Sequence, residues 1–283
     1  MKRFLLAGIA IVAITAAGAA SAADLRVPRA RGPAIVPVYN WTGCYVGGYV
    51  GGAWNDRDGA TFTDLGNANF ASFSGGVGAA RISPSHSWSA DLRDSFIGGG
   101  TLGCNWQPFR SPFVLGVEGE FGHLRLTSDA FDPTTIRGGQ TTPDVLGSAR
   151  IGDWYGMATG RLGYAWDRIL LYVKGGAAFV PVRGSVIDAC LTTAAGCGNW
   201  VISTTSDRSV VTTWTVGGGV EWAFATHWSV KAEYMFIGLD DTRTSCGVAT
   251  VASGAAVPGG PFCFNQHFDG INTAKIGVNY KFW

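Results

Sequence analysis

Side chains alternate in character, apolar then small or charged, along eight separate runs of this chain, and nothing else restricts its folding as much. From Phe113 to Leu126, the residues Phe113, Leu115, Val117 and Phe121 share one parity, while Glu118 and Glu120 share the other. Successive side chains of a β-strand point to opposite faces, so such a run is a strand with one greasy and one polar side. The other runs are Trp41 to Trp54, Ser95 to Gln107, Trp154 to Trp166, Ile169 to Val182, Val210 to Phe224, Trp228 to Gly238 and Phe268 to Trp283. Their connections sort by length. "QPFRSP", Asp167-Arg168 and Ala225-Thr226-His227 are short, whereas residues 55–93, 127–152, 183–209 and 240–267 form long, polar, glycine-rich stretches.

Charged residues make up 14% of the chain, against about 25% in ordinary soluble domains. That is too few to cover a water-facing surface. Beyond the N-terminal region no segment approaches the ~18 consecutive apolar residues of a membrane-spanning helix. A closed barrel is the other way to satisfy every backbone group in lipid. An even strand number with connections long on one side and short on the other is the organisation of outer-membrane barrels. The expected fold is all-β: an eight-stranded antiparallel transmembrane β-barrel, an up-and-down meander with long extracellular loops, short periplasmic turns and both termini periplasmic. The net charge of +1 leaves no basic surplus for nucleic acid.

The N-terminus reads as a secretory signal peptide over 1–22. It has a basic start at Lys2 and Arg3, an apolar stretch from Phe4 to Ala19, and a small-residue cleavage site at Ala20-Ser21-Ala22. Residues 23–40, with Pro28, Pro33, Pro37, Arg26, Arg29 and Arg31, read as an extended periplasmic linker. The barrel domain is assigned to 41–283.

Parity assigns the faces. A lipid-facing charge near the midplane costs about 2–4 kcal/mol, so the charges are expected inside. Glu118, Glu120, Glu221 and Glu233 would face Arg161, Lys174, Lys231, Lys275 and Lys281. An eight-stranded barrel has an interior that side chains can fill, which favours an ion-paired polar core over a selectivity filter. Trp41, Tyr45, Trp54, Trp106, Trp154, Trp166, Trp222, Trp228, Tyr280 and Trp283 lie at strand ends and are expected to form interfacial girdles.

Six cysteines in an exported chain point to disulfides, with 15 full pairings open. Adjacency of the first two strands favours Cys44–Cys104, and closure within each long loop favours Cys190–Cys197 and Cys246–Cys263. Metal binding is not expected, because no C-x-x-C occurs and His86, His123, His227 and His267 are scattered. Catalysis is not expected either. No G-x-S-x-G is present, and His86 among Ser83, Ser85 and Ser87 reads as a polar loop. No cofactor is implied.

Five stretches in order, "YNWTGCYVGGYVGGAW" (39–54), "IGGGTLGCNWQ" (97–107), "VLGVEGEFG" (114–122), "GRLGYAWDRILLYVKGGAAF" (160–179) and "KIGVNYKFW" (275–283), resemble the small alphaproteobacterial outer-membrane immunogenic, or porin-family, β-barrel proteins. The resemblance covers 39–283. It implies an eight-stranded barrel in the outer membrane of a Gram-negative bacterium, surface exposure, and a role in envelope integrity or host contact; the porin label is not carried over as pore activity. Cys44 and Cys104 stand where the family pattern has aromatics, which supports their pairing. The family's assembly machinery reads a terminal aromatic in phase with the lipid-facing residues, here Tyr280 and Phe282, with Trp283 one beyond. The expected partners are outer-membrane lipid and lipopolysaccharide, the barrel-assembly machinery and a host or cell-surface ligand at the loops. The leading expectation is a structural and surface-interaction protein, and the alternative a low-conductance channel for small solutes.

Overall fold

Strand pairing follows the alternation. The computed structural model describes residues 39–56, 59–65, 87–131, 145–190, 200–205, 208–248, 250–251 and 262–282. These belong to one compact unit, Val38–Trp283. The signal-peptide and linker assignments up to residue 38, the His86 loop and Trp283 lie outside the described residues.

Sixteen strands occur among the described residues: β1 (Gly43–Asn55), β2 (Ala60–Asp64), β3 (Ser87–Ala90), β4 (Ser95–Trp106), β5 (Phe113–His123), β6 (Arg125–Phe131), β7 (Val145–Gly152), β8 (Tyr155–Trp166), β9 (Ile169–Cys190), β10 (Trp200–Thr205), β11 (Ser209–Ala223), β12 (Trp228–Ile237), β13 (Asp241–Gly247), β14 (Thr250–Val251), β15 (Phe262–Phe268) and β16 (Ile271–Lys281). Eight of them close a barrel in the order β1, β4, β5, β8, β9, β11, β12, β16 and back to β1, every ladder antiparallel. The last strand therefore ends against the first: Lys281 pairs with Tyr45, and Phe282 N–H donates to Cys44 O at 2.9 Å.

The outward face is apolar. Phe96, Leu102, Val117, Phe121, Val173 and Ile276 are all exposed there. Aromatics form two rings on it. Trp54, Phe96, Phe121, Trp154, Trp214 and Tyr234 mark one level, and Trp106, Phe113, Trp166, Trp222, Trp228, Tyr280 and Phe282 the other, at the short-turn end. Trp214 and Trp222 are eight positions apart on β11, about 20 Å of height for a strand tilted ~40°.

Two expected boundaries shift for a clear reason. The third barrel strand ends at His123 rather than Leu126, because Leu124 and Asp153 interrupt the ladder: Asp153 has φ 87° and its N–H bonds to Leu124 O. Phe268 belongs to β15, and the closing strand starts at Ile271.

The larger correction concerns the long connections. They hold β2, β3, β6, β7, β10, β13, β14 and β15, and β9 continues past the barrel to Cys190. These pieces form a second storey. One side is a four-stranded sheet in the order β13, β15, β2, β3; the other is β6, β7, the far half of β9, β10 and β14. The two sides share a core of Phe62, Trp88, Leu126, Ile151, Val186, Phe264 and Phe268, all buried. Phe62 stacks on Trp88 with ring centroids 5.5 Å apart. The sides also meet at their edges, where Ser245 Oγ donates to Thr204 Oγ1 at 3.2 Å and Arg93 N–H to Thr127 O at 3.0 Å. The described parts of the long connections are thus a folded cap, and burial of several large apolar side chains, each worth about 1.5–3 kcal/mol, accounts for it.

Candidate functional site

The barrel interior brings together charges from six strands. Lys174 on β9 lies at the centre: its Nζ is 2.5 Å from Glu118, 2.6 Å from Glu120 and 2.9 Å from Glu233. Lys275 bonds Glu120 at 2.6 Å and Glu233 at 2.9 Å. Lys231 reaches Glu118 at 3.2 Å. Arg161 bonds Glu221 at 2.7 Å and lies 3.8 Å from Glu118. Ser229 and Asn279 donate to the second Glu221 oxygen at 2.5 and 2.8 Å. Four carboxylates thus meet four cations, and all eight residues are buried. Removing a charge from water costs several kcal/mol, so such groups persist only when each is paired and hydrogen-bonded.

Sequence parity missed the tyrosines of this network. Tyr45 OH donates to Glu118 and accepts from Arg161, Tyr172 OH donates to Glu233 at 3.0 Å, and Tyr155 OH donates to Tyr49 OH at 2.6 Å. The Arg161 guanidinium lies 3.8 Å from the Tyr172 ring centroid, a cation–π contact. The signal was present, since Tyr172 shares parity with Lys174, and Tyr45 and Tyr49 share it with Gly47. The glycines make the room: a Cβ at Gly103 would stand 2.5 Å from the Tyr45 hydroxyl.

Three expectations are corrected. Lys281 does not join the network: it lies at the rim, its Nζ donating to Asn40 O at 2.5 Å and standing 4.3 Å from the Tyr39 ring. It is simply one turn-end position too far along β16 to reach the carboxylates. Trp41 and Tyr45 are not girdle residues, being 2% and 3% exposed. Trp41 caps the short-turn mouth, packed with Val114, Ala165, Leu170, Tyr172 and Ala223 and held by Nε1–H to Asp167 O at 3.0 Å. At the opposite mouth the apolar cap core begins at Ile97, Tyr155, Met157, Ala178 and Met235. The ionic layer is thus enclosed between two apolar ones.

Oxygens of Glu118, Glu120 and Glu233 lie within 4.8 Å of one another, the spacing of a cation site. The Lys174 ammonium fills that position.

Cys44–Cys104 and Cys246–Cys263 are disulfides, and each pair is directly opposed in its ladder. Cys44–Cys104 lies on the outward face near the short-turn end; Cys246–Cys263 ties β13 to β15 in the cap. The expected Cys190–Cys197 pair lies outside the described side chains. Of the residues expected to form a C-terminal assembly signal, Tyr280 and Phe282 face outward, with ring centroids 5.8 Å apart.

The profile described as "Outer membrane protein beta-barrel domain" matches residues 9–282. The chain belongs to this outer-membrane β-barrel family. Its members' location places it in the outer membrane of a Gram-negative bacterium. The 31 kDa outer-membrane immunogenic proteins of Brucella melitensis biotype 1 and Brucella suis biovar 1 are each 27% identical over the whole of both chains. Among solved structures, the barrel is similar to OprG of Pseudomonas aeruginosa (9% identity, 86% of this chain, 98% of that one, TM-score 0.45). It is also similar to Ail, the attachment invasion locus protein of Yersinia pestis (11% identity, 85% of this chain, 99% of that one, TM-score 0.32).

Proposed function

We propose that this outer-membrane barrel is a structural and surface-interaction protein: an impermeable anchor that carries a folded β-cap on the outside of the cell, with its short turns and termini in the periplasm. The observation that carries this reading is the layered interior, with eight buried charges paired among themselves between Trp41 below and the Phe62–Phe264 core above. A barrel built to conduct keeps a continuous aqueous path, and here side chains occupy it. The cap's outer surface is the face offered to lipopolysaccharide and to a host or cell-surface ligand, and Tyr280 and Phe282 are the residues offered to the assembly machinery. The turn-end position of both barrel termini and the folding of the long connections on the opposite side support the orientation.

Recording from refolded protein in a planar lipid bilayer tests this. The expected result is baseline current without steady steps. Steady openings altered by Glu118→Gln or Lys174→Met would instead establish the alternative, a low-conductance channel whose ion-pair network parts.

A further inference from the structure

On the outward face, adjoining Trp154 on one side and lying six residues beyond Trp214 on the other, three arginines stand in a row. Arg150 on β7 and Arg183 on β9 are directly opposed in their ladder. Arg208 immediately precedes Ser209, the partner of Val182, and so extends the row to a third strand. Like charges directly opposite each other across strands are destabilising. Among the described residues one carboxylate sits between them: Asp153 lies 3.7 Å from Arg150 and 3.2 Å from Arg208, with Arg125 reaching it at 3.8 Å from the other side. Arg183 is exposed and makes no ion pair among the described residues. Asp129, opposite Ser148, is one two-residue step nearer the tip. Counting Asp153 and Asp129 against Arg125, Arg150, Arg183 and Arg208, these described residues carry two more positive charges than negative. A shallow cleft runs between Arg150, Asp153, Arg183 and Arg208.

Height decides what this surplus meets. Val210, exposed on the apolar face, lies two residues from Arg208, about 6–7 Å along the strand. Trp154 follows Asp153 directly and stacks on Phe121 at 5.9 Å. The row therefore lies beyond the aromatic ring in the headgroup layer, adjoining the ring at Trp154 and standing about 15 Å above Trp214 at Arg208. Guanidinium forks match phosphate oxygens bidentately and stay charged there.

We infer that Arg150, Arg183 and Arg208 form a binding site for the phosphate of a lipid headgroup packed against the barrel, with Asp153 holding Arg150 and Arg208 in place. The phosphate relieves the Arg150–Arg183 repulsion, and the acyl chains lie on the adjacent apolar face. Assignment to the outer leaflet rests on the orientation proposed above, whereas the site itself does not.

The test is native mass spectrometry of the folded full-length barrel in neutral detergent, titrated with a bis-phosphorylated acylated glucosamine disaccharide and with its dephosphorylated form. The wild type is expected to prefer the phosphorylated lipid by about tenfold or more, equivalent to ~1.4 kcal/mol. Arg150→Gln/Arg183→Gln/Arg208→Gln should lose that preference, and Arg110→Gln at the opposite end should keep it. An unchanged preference in the triple variant overturns the site. Displacement of the lipid by millimolar inorganic phosphate would reassign the site to the free ion and overturn the lipid. Where the triple variant does not fold, as judged by heat-dependent gel mobility, Arg183→Gln alone supplies the comparison, because no described ion pair depends on it. Labelling of Ser148→Cys on intact cells by an impermeant maleimide tests the orientation separately.

Discussion

Lys174 concentrates the electrostatics of the lumen, since one ammonium neutralises parts of three carboxylates. Lys174→Met leaves an uncompensated buried negative charge and should lower stability by about 3–5 kcal/mol, read from urea unfolding of the detergent-folded barrel. Lys174→Met/Glu233→Gln restores the charge balance and should recover part of that loss; a double variant no better than the single one would show that packing rather than charge sets the cost. The inward direction of these eight charges was legible from parity alone, because a charge on the apolar face has nowhere favourable to go. Their partners were not legible, because pairing such as Lys275 with Glu120 depends on which strands face each other across the lumen. Lys281 and Trp41 were misplaced for a related reason. Parity fixes the side of the wall but not the height, and only the height separates a rim residue from a core residue.

At the scale of elements, the eight barrel strands were readable to within a few residues, since each carries a long alternating run and the short turns fix their neighbours. The cap strands escaped. Those such as "ATFTD" and "SWSA" are four or five residues long, and β2 pairs with β15 some two hundred positions away, Phe62 against Gln266. No local pattern announces such a pairing. Its packing is nonetheless tight, because a Cβ at Gly147 would approach the Phe62 ring to 2.8 Å. Gly147→Ala should therefore destabilise the cap by about 1–3 kcal/mol through overpacking, seen as faster proteolysis above β7 with the barrel intact. Adding Phe62→Leu should lessen the effect of Gly147→Ala; strict additivity would remove the steric explanation. The Cys246–Cys263 bond closes a loop across a sequence separation of 17. Replacing both cysteines with serine should loosen β13 and β15 by about 3 kcal/mol on a chain-entropy view, measured by hydrogen exchange in those two strands.

The described residues of the unit Val38–Trp283 form a stack: apolar plug, ionic layer, apolar cap. On the proposed reading, redundant layers make single openings ineffective. Trp41→Ala and Phe62→Ala should each leave bilayer current at baseline, because the charges of the middle layer stay paired; conduction by either variant alone would show that a single layer does the sealing. The 22 residues of β9 run through every layer, edge-paired to β8 and β11 below and to β7 and β10 above. Tip and stem share one ribbon. In the orientation proposed above, a tug on the crown from an antibody or a neighbouring cell would be delivered along a covalent mast to the girdled stem, loading the contacts at Lys174 and Tyr172.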